Sequence, residues 1–145
     1  MNDVITNTSP AAPSATTPFM KGADKLGPLD SRYVDVESLP WKPTPCAGIE
    51  MKILVEDTQS GLMTALFRWQ PGAELTLHEH VEVEQTFVLE GSLVDEEGEV
   101  TAGNYVWRPK GNRHTARSPN GALVLSMFLK PNIFLTGENE GRQLR

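Results

Sequence analysis

The three histidines of this chain are the residues best suited to chemistry, and two of them lie one residue apart in LTLHEHVEVEQTFVLEG, residues 75 to 91. Neutral imidazole is a good ligand for divalent transition metals, and a carboxylate often completes such a site. Glu82 and Glu84 follow His78 and His80 within a few residues, so the segment offers the ligands of a metal site. The alternative is that these side chains form the solvated face of a strand.

The spacing of His78 and His80 fits a strand, in which alternate side chains point to the same side. A strand over residues 75 to 80 places Thr76 beside the two histidines and Leu75 on the opposite side. If the strand keeps its register, the two following glutamates face the same space as the histidines. Spacing alone does not choose between them.

The third histidine, His114, follows a segment that favours a sharp turn. Pro109 and Gly111 stand two residues apart in GNYVWRPKGNRH, and the fixed φ of proline and the freedom of glycine suit an abrupt change of direction. Such a turn orients the next side chains, which a surface histidine does not need. The sequence therefore favours a site that gathers all three histidines.

The elements that must position these residues are predicted to be strands. In IEMKILVE, residues 49 to 56, apolar side chains alternate with charged ones at most positions, as in a half-buried strand. The other short apolar runs are LMTALFRW, TFVLE, SLVD, NYVWR and ALVLSMFLK. Turn residues separate them. At least seven strands with short links predict an all-β fold, either an antiparallel sandwich or a small barrel.

The length of 145 residues fits one domain. Residues 1–27 are rich in Ser, Thr, Pro and Ala and have few large apolar side chains, so they are predicted to form a flexible N-terminal tail. Residues 28–145 then form the folded domain. The single cysteine, Cys46, has no partner for an internal disulfide and is predicted to be an inert, buried thiol.

The charge balance limits the partners that this chain can have. Lys and Arg number 13 and Asp and Glu 19, which gives a net charge of −6 at pH 7. No basic surface for nucleic acid or an anionic membrane is expected. The apolar runs fall far short of the roughly 20 residues of a membrane helix, and the N-terminus does not resemble a secretion signal. We therefore expect a cytoplasmic protein with a small-molecule substrate.

Two glycine-bounded patterns enclose the histidines. They consist of Gly72, His78, His80, Glu84 and Gly91 in the first, and of Gly103, Pro109, Gly111 and His114 in the second. Their spacings resemble the two motifs of the cupin superfamily, except that Ser118 stands where the second motif ends in asparagine. The resemblance covers roughly residues 49 to 130 and takes in every histidine of the chain.

The cupin resemblance implies a small antiparallel β-barrel, a jelly-roll-like double-stranded β-helix, with a metal inside its mouth. It implies His78, His80, Glu84 and His114 as ligands, and it alone selects Glu84 over Glu82. One divalent transition metal per chain is expected, with Fe²⁺ favoured and Zn²⁺, Mn²⁺ or Ni²⁺ as alternatives. Protons compete for imidazole, so binding is expected to weaken below about pH 6.5.

The sequence around the motifs is similar to single-domain bacterial cupins related to acetylacetone-type dioxygenases and to the cupin half of zinc-binding anti-sigma factors. The first likeness implies a non-haem iron(II) dioxygenase that cleaves a small diketone or hydroxyketone, although those enzymes use three histidines without the glutamate. The second implies a non-catalytic zinc-binding sensor or regulatory module. A sugar isomerase or epimerase is a further alternative, and cupin pairing implies a homodimer.

Aromatic residues on the predicted strands are candidates for the lining of a substrate pocket. They are Trp69, Tyr105, Trp107 and Phe128. Arg68, a candidate pocket residue, could also anchor an anionic substrate, as could Arg108, Arg113 and Arg117. The alternatives are that the aromatic side chains belong to the core, and that the arginines, Arg108 included, are solvated at the surface.

Overall fold

The computed structural model describes residues 10–144, which form ten strands and two short 3₁₀ turns. The strands are β1 (Lys42–Pro43), β2 (Ile49–Glu56), β3 (Met63–Trp69), β4 (Ala73–Glu79), β5 (Glu84–Val94), β6 (Glu99–Thr101), β7 (Tyr105–Arg108), β8 (Arg113–Ser118), β9 (Ala122–Phe128) and β10 (Ile133–Phe134). The 3₁₀ turns are Ala23–Lys25 and Val36–Ser38. The predicted all-β fold is confirmed. No helix within the described residues is long and apolar enough to span a membrane.

The strands form one curled antiparallel sheet in the order β1-β2-β3-β9-β5-β8-β4-β10, with β6 and β7 also pairing with β5. The long strand β5 connects the two halves of the barrel. Its first part pairs with β9 and β7, and its last residues pair with β6 and β8. A side chain near either end of β5 can therefore reach the barrel interior together with side chains of both halves.

Gly91 lies where β5 passes between these halves. The separate apolar runs TFVLE and SLVD predict two strands with a break at this glycine, but the structure has one continuous strand. Gly91 has a φ of 71°, and a Cβ atom built on it would stand 2.0 Å from the carbonyl oxygen of Gly121. Only glycine allows this close backbone approach. A glycine within a predicted series of strands here marks a bend and not an end.

The core lies between the inward faces of the strands. The alternation predicted for residues 49 to 56 is confirmed for Ile49, Met51 and Ile53, which are buried in β2. Lys52 is buried as well, although its position in the pattern predicts exposure. Its Nζ donates a 2.9 Å hydrogen bond to the carbonyl oxygen of Val36, which satisfies the charged group.

Part of the segment predicted as a tail contacts the barrel. Thr16 exchanges two backbone hydrogen bonds of 2.8 Å with Glu56, at the end of β2. The hydroxyl of Thr17 donates to the carbonyl oxygen of Leu54 at 2.6 Å. Residues 1–9 of the predicted tail lie outside the described residues. The division into tail and domain stays a prediction.

The segment formed by residues 132 to 144 folds back on itself beside the histidine strand, and we refer to it as the closing hairpin. Its strand β10 pairs with β4, where Phe134 stands opposite His78. The backbone N–H of Leu144 donates to the carbonyl oxygen of Asn132 at 3.2 Å, which holds the two arms together. Phe134 and Leu144 are both buried, so this hairpin closes one side of the barrel interior.

Candidate metal centre

His78 and His80 both point into the barrel, but the strand that carries them is less regular than predicted. The pairing of β4 with β8 shifts register between Leu75 and His78, which marks a β-bulge. As a result, Leu75 and His78 are both buried, although a regular strand would place them on opposite sides. Thr76, predicted beside the histidines, is exposed. Because the extra residue of a bulge exchanges the two faces of a strand, alternation fails across this point.

The turn at Pro109–Gly111 brings His114 to the other two histidines. His114 pairs directly with His78 across β4 and β8. The turn also bonds to the backbone of His80, because the N–H of Gly111 donates to the His80 carbonyl oxygen at 2.8 Å and the His80 N–H donates to that of Asn112 at 2.9 Å. The two segments with the candidate ligands thus form one hydrogen-bonded unit.

The three histidines form a compact group, called here the histidine cluster: His78, His80 and His114. One ring nitrogen from each can be chosen so that all three lie within 4.8 Å of one another. The ring centroids are 4.5 to 5.1 Å apart. The exposed fractions of the residues are 2 %, 0 % and 5 %. These positions make a solvated strand face the wrong interpretation of the opening sequence.

Hydrogen bonds hold two of the imidazoles through the same ring atom. Nδ1 of His78 lies 2.8 Å from the carbonyl oxygen of Thr76, and Nδ1 of His114 lies 3.1 Å from Oδ2 of Asp95. Both partners accept, so both Nδ1 atoms carry the proton. The Nε2 atoms of these two residues are left with a free lone pair, as expected of metal ligands with oriented rings.

Glu84 lies against His80. Its Oε2 is 2.8 Å from Nδ1 of His80 and accepts a 2.9 Å hydrogen bond from Nδ2 of Asn132, while Oε1 accepts one of 3.2 Å from the Thr86 hydroxyl. Burial alone would raise the pKa of the Glu84 carboxyl, but His80 and the Asn132 amide outweigh it and lower the pKa to about 2. Glu84 is therefore an anion, beside the histidine cluster but outside the 4.8 Å group.

Glu82, the other carboxylate considered from the sequence, points elsewhere. The chain bends at residues 81 and 82 before β5 begins, so the alternation of β4 does not continue to this residue. The Glu82 carboxylate forms a 2.9 Å ion pair with Lys110. The structure therefore places Glu84, and not Glu82, next to the histidines.

Burial determines the charge of two imidazoles. It lowers the pKa of His78, and the positive charge that His80 can carry lowers it further despite the Thr76 carbonyl. Burial is also the main reason that the pKa of His114 falls to about 4, with smaller contributions from His78 and Arg108. Both rings are thus neutral at physiological pH. Neutral rings are the form that binds a metal.

His80 provides the test of whether a metal fits here. It is fully buried, and in the part of the chain that the structure describes neither ring nitrogen has a hydrogen-bond partner of acceptable geometry. The short approach of its Nδ1 to Glu84 does not meet the directional requirement for a hydrogen bond. A buried, unpartnered imidazole is costly in a protein alone. A divalent cation among these nitrogens and the Glu84 carboxylate removes that cost, so the donor set fits a transition metal.

A cavity of about 40 Å³ adjoins the histidine cluster. Trp69 and Phe128, two of the predicted pocket residues, line it together with other apolar side chains. The other three point away from it. Tyr105 and Trp107 are 47 % and 57 % exposed, and Arg68 forms a 2.6 Å ion pair with Glu50 on the outer side of the sheet. Strand alternation places these three on the outer face.

Arg108 is the clearest departure from the sequence expectation, because it is buried and not solvated. Arg108 is 8 % exposed and is one of the residues that line the same cavity. It donates to Oδ2 of Asp95 at 2.6 Å, and the same oxygen accepts the hydrogen bond from Nδ1 of His114. Burial would raise the pKa of Asp95, but backbone N–H groups and Arg108 lower it overall. Asp95 thus links a buried cation to a candidate ligand.

Asp95 and Asn132 are the site residues that sequence reasoning missed. Asp95 directly follows β5 and precedes the EEGE turn, and Asn132 follows β9 in the closing hairpin. Asp95 contacts the histidine cluster through His114, 19 positions away. Asn132 bonds to Glu84, 48 positions away. Neither stands in a pattern with the histidines, so no local signal in the sequence could have identified them.

A curled antiparallel barrel with inward histidines from two glycine-bounded segments defines a cupin. Residues 30–132 match the model of the ChrR cupin-like domain. The chain belongs to this family. No functionally curated protein matches the sequence.

Solved structures with the same fold include a protein of Methylibium petroleiphilum PM1 that is provisionally named an acetylacetone dioxygenase. It is 24 % identical with a TM-score of 0.71 over 80 % of this chain and 88 % of that chain. An acetylacetone dioxygenase of Acinetobacter johnsonii is 20 % identical with a TM-score of 0.70 over 80 % and 85 %. A chain of the Rhodobacter sphaeroides SigE complex with the anti-sigma ChrR is 23 % identical with a TM-score of 0.56 over 64 % and 51 %. At these identities the likeness shows the fold.

Proposed function

We propose that this chain is a metal-dependent cupin in which His78, His80 and His114 bind one divalent transition metal, with Glu84 as the carboxylate ligand. The observation that carries the proposal is the state of His80, which is fully buried. Among residues 10–144 neither of its ring nitrogens has a well-aligned hydrogen-bond partner, although Nδ1 lies 2.8 Å from the Glu84 carboxylate. The fixed Nδ1 protons of the other two rings support it, because they direct Nε2 lone pairs into the same space.

The activity that we propose is that of an iron(II)-dependent dioxygenase that cleaves a small diketone or hydroxyketone. A bound ferrous ion would supply Lewis acidity and the electrons that activate dioxygen. The chain itself contributes a small cavity with Val124, Phe128 and Leu144 in its wall, and these apolar side chains limit the water around the reacting centre. The names of the two dioxygenase neighbours support this choice of reaction.

A zinc-binding regulatory module is the second candidate, and a specific observation favours it. The matching family is the ChrR cupin-like domain, and ChrR is named an anti-sigma protein in the complex with SigE. The cavity beside the histidine cluster is also small for a catalytic chamber. Three histidines and Glu84 would complete a closed tetrahedral zinc site, which is the arrangement of structural sites. This candidate requires the same ligands, so metal identity and oxygen chemistry separate the two.

The first experiment is metal analysis by mass spectrometry on untagged protein purified without oxygen, with His114→Ala and the surface variant Arg113→Ala compared. We expect about one metal per wild-type chain and per Arg113→Ala chain, and loss in His114→Ala. Iron, followed by oxygen uptake with acetylacetone that His114→Ala lacks, supports the dioxygenase. Zinc without oxygen uptake supports the regulatory module. Absence of metal from reconstituted wild-type protein would refute both.

A further inference from the structure

We infer that the metal-loaded cavity takes a small monoanion, and that Arg108 is the residue that sets this preference. The inference rests on the proposed metal site and specifies the charge of its ligand. It favours an ionised diketone over a neutral hydroxyketone, and it extends to small carboxylates such as formate and acetate.

The first step is to identify the buried charges around the cavity. Within residues 10–144, the ionised groups that line the cavity or bond to its lining are Glu84, Asp95 and Arg108. The Glu84 carboxylate accepts from the Asn132 amide, and Asp95 accepts from Arg108 and from the backbone N–H groups of Glu97 and Gly98. Such bonds stabilise the charged forms of both acids.

Two nearby groups do not alter the balance. Hydrogen bonds through Nδ1 and burial keep the rings of His78 and His114 neutral, and an imidazole binds a metal only in its neutral form. Glu97 approaches Arg108 at 3.5 Å, but its side chain is 68 % exposed and water screens its charge. Two partly buried carboxylates and one buried guanidinium therefore contribute one net negative charge beside the metal.

A divalent cation reverses the sign. With two positive charges added, the enclosed site carries one net positive charge. An uncompensated charge away from water is costly, and a single anion of unit charge removes it. A neutral ligand of the same shape would leave the charge in place. The site should therefore discriminate between ligands of equal size by their charge.

The structure also indicates where the anion sits and how large it is. Arg108 is the only cation among the described residues that line this cavity, and Asp95 occupies one edge of its guanidinium. The remaining N–H donors of Arg108 can serve an oxygen beside the metal. The free volume is about 40 Å³, and a water molecule needs roughly 10–15 Å³. Probes of three or four heavy atoms therefore suit the cavity as it stands, whereas a diketone requires the cavity to widen.

The test uses matched pairs of ligands on Co²⁺-loaded protein, followed by the visible spectrum of the metal. Formate is compared with formamide, and acetate with acetamide, because each pair has nearly the same shape and differs in charge. We expect the anion of each pair to bind at least about tenfold more tightly. Equal affinities within both pairs would overturn the inference.

Variants with opposite expected signs make the test specific. Arg108→Gln should weaken formate binding about tenfold, because the metal-loaded site becomes neutral. Arg108→Lys should retain most of the affinity. Asp95→Asn should strengthen formate binding severalfold, since it removes a negative charge yet keeps an oxygen that can accept from His114. Arg113→Gln, an exposed arginine paired with Glu79, changes the net charge equally and should have no effect.

Cobalt content and thermal stability are measured for every variant, so two failures can be told apart. If wild-type protein takes up no cobalt, the proposed function fails. If cobalt binds and Arg108→Gln leaves formate affinity unchanged while remaining folded, the charge inference fails and the metal site stands. If Arg108→Gln and Asp95→Asn both weaken formate binding, the residues act through structure alone and the inference is overturned as well.

Discussion

Among residues 10–144, two clusters of potential metal ligands lie side by side and share a member. The histidine cluster consists of His78, His80 and His114, and the second, called here the acidic cluster, consists of Asp95, Glu96 and His114. Both have ligand atoms within 4.8 Å of one another. They differ in what their atoms already bind, and that difference matters more than the distances.

The acidic cluster is already satisfied by the protein. Asp95 accepts from Arg108 and from two backbone N–H groups, and Glu96 accepts from the backbone N–H and hydroxyl of Thr115 at the exposed edge of the barrel. A metal there would have to displace these donors. In the histidine cluster the free lone pairs have no such partner within the part of the chain that the structure describes, which leaves them available to a metal.

The largest expected effect separates the two clusters directly. His80→Ala should reduce bound metal from about one per chain to near zero, because it removes the imidazole that only a metal satisfies. Glu96→Gln should leave the metal content unchanged. Mass spectrometry on both variants checks this. Metal lost in Glu96→Gln and kept in His80→Ala would place the site in the acidic cluster.

A smaller effect is expected for residues that hold Glu84. Asn132→Leu removes the 2.9 Å hydrogen bond to the Glu84 carboxylate, and metal affinity should fall about 10- to 100-fold. In Glu84→Gln the metal affinity should fall at least as far. Competition with a chelator of known affinity measures both. If Glu84→Gln binds metal like wild type, the three histidines suffice and Glu84 only orients the site.

The pH response of the metal-free protein tests the burial of the histidine cluster. Burial lowers the pKa of His78, and that of His114 to about 4, below the value in the unfolded chain. The unfolded state then binds more protons between about pH 6.5 and 4. The free energy of unfolding should therefore fall as the pH decreases through this window. Urea denaturation with a chelator present measures it, and a flat profile would contradict the burial.

The same lowered pKa values modify the expected pH dependence of metal binding. Unperturbed imidazoles would lose the metal below about pH 6.5. In the folded protein His114 stays neutral to lower pH, so proton competition at His114 should begin below that value. A titration of bound cobalt by its visible spectrum, compared with the unfolding curve, distinguishes protonation of the site from loss of the fold.

The smallest effect is expected at the outer face. Tyr105 and Trp107 are exposed and do not line the cavity. Trp107→Ser should therefore change metal and formate affinity by less than about twofold, within the range of ordinary surface substitutions. Calorimetric titration against wild type checks this. A larger change would restore these aromatic residues to the functional site.

The predicted homodimer is tested on the same samples by sedimentation. A species of 16.0 kDa alone would contradict it.

Strand pattern predicted most of the fold because hydrophobic alternation is a local signal. The predicted run of residues 49 to 56 coincides with β2. Prediction was wrong where the backbone departs from regularity, at the bulge before His78 and at Gly91. Neither a bulge nor a close backbone approach leaves an unambiguous mark in the order of apolar and polar residues.

The sequence predicted the histidines of the candidate site, but it did not predict the residues that hydrogen-bond to them and to Glu84. The histidines stand in motifs of fixed spacing, so sequence alone could gather them. Asp95, Arg108 and Asn132 act through single contacts made by the tertiary fold, and an arginine gives no sequence sign that it will be buried. The buried guanidinium of Arg108, at the end of β7, is paired with Asp95, which lies in the connection after β5.

The closing hairpin has a consequence for how the metal is acquired. Phe134 packs beside His78, Leu144 lines the cavity, and the histidine cluster is almost inaccessible to solvent. The hairpin therefore screens the histidine cluster from water on this side of the barrel. Metal uptake from this side would be slower than uptake by histidines at an exposed surface, because an ion would have to pass Phe134 and Leu144.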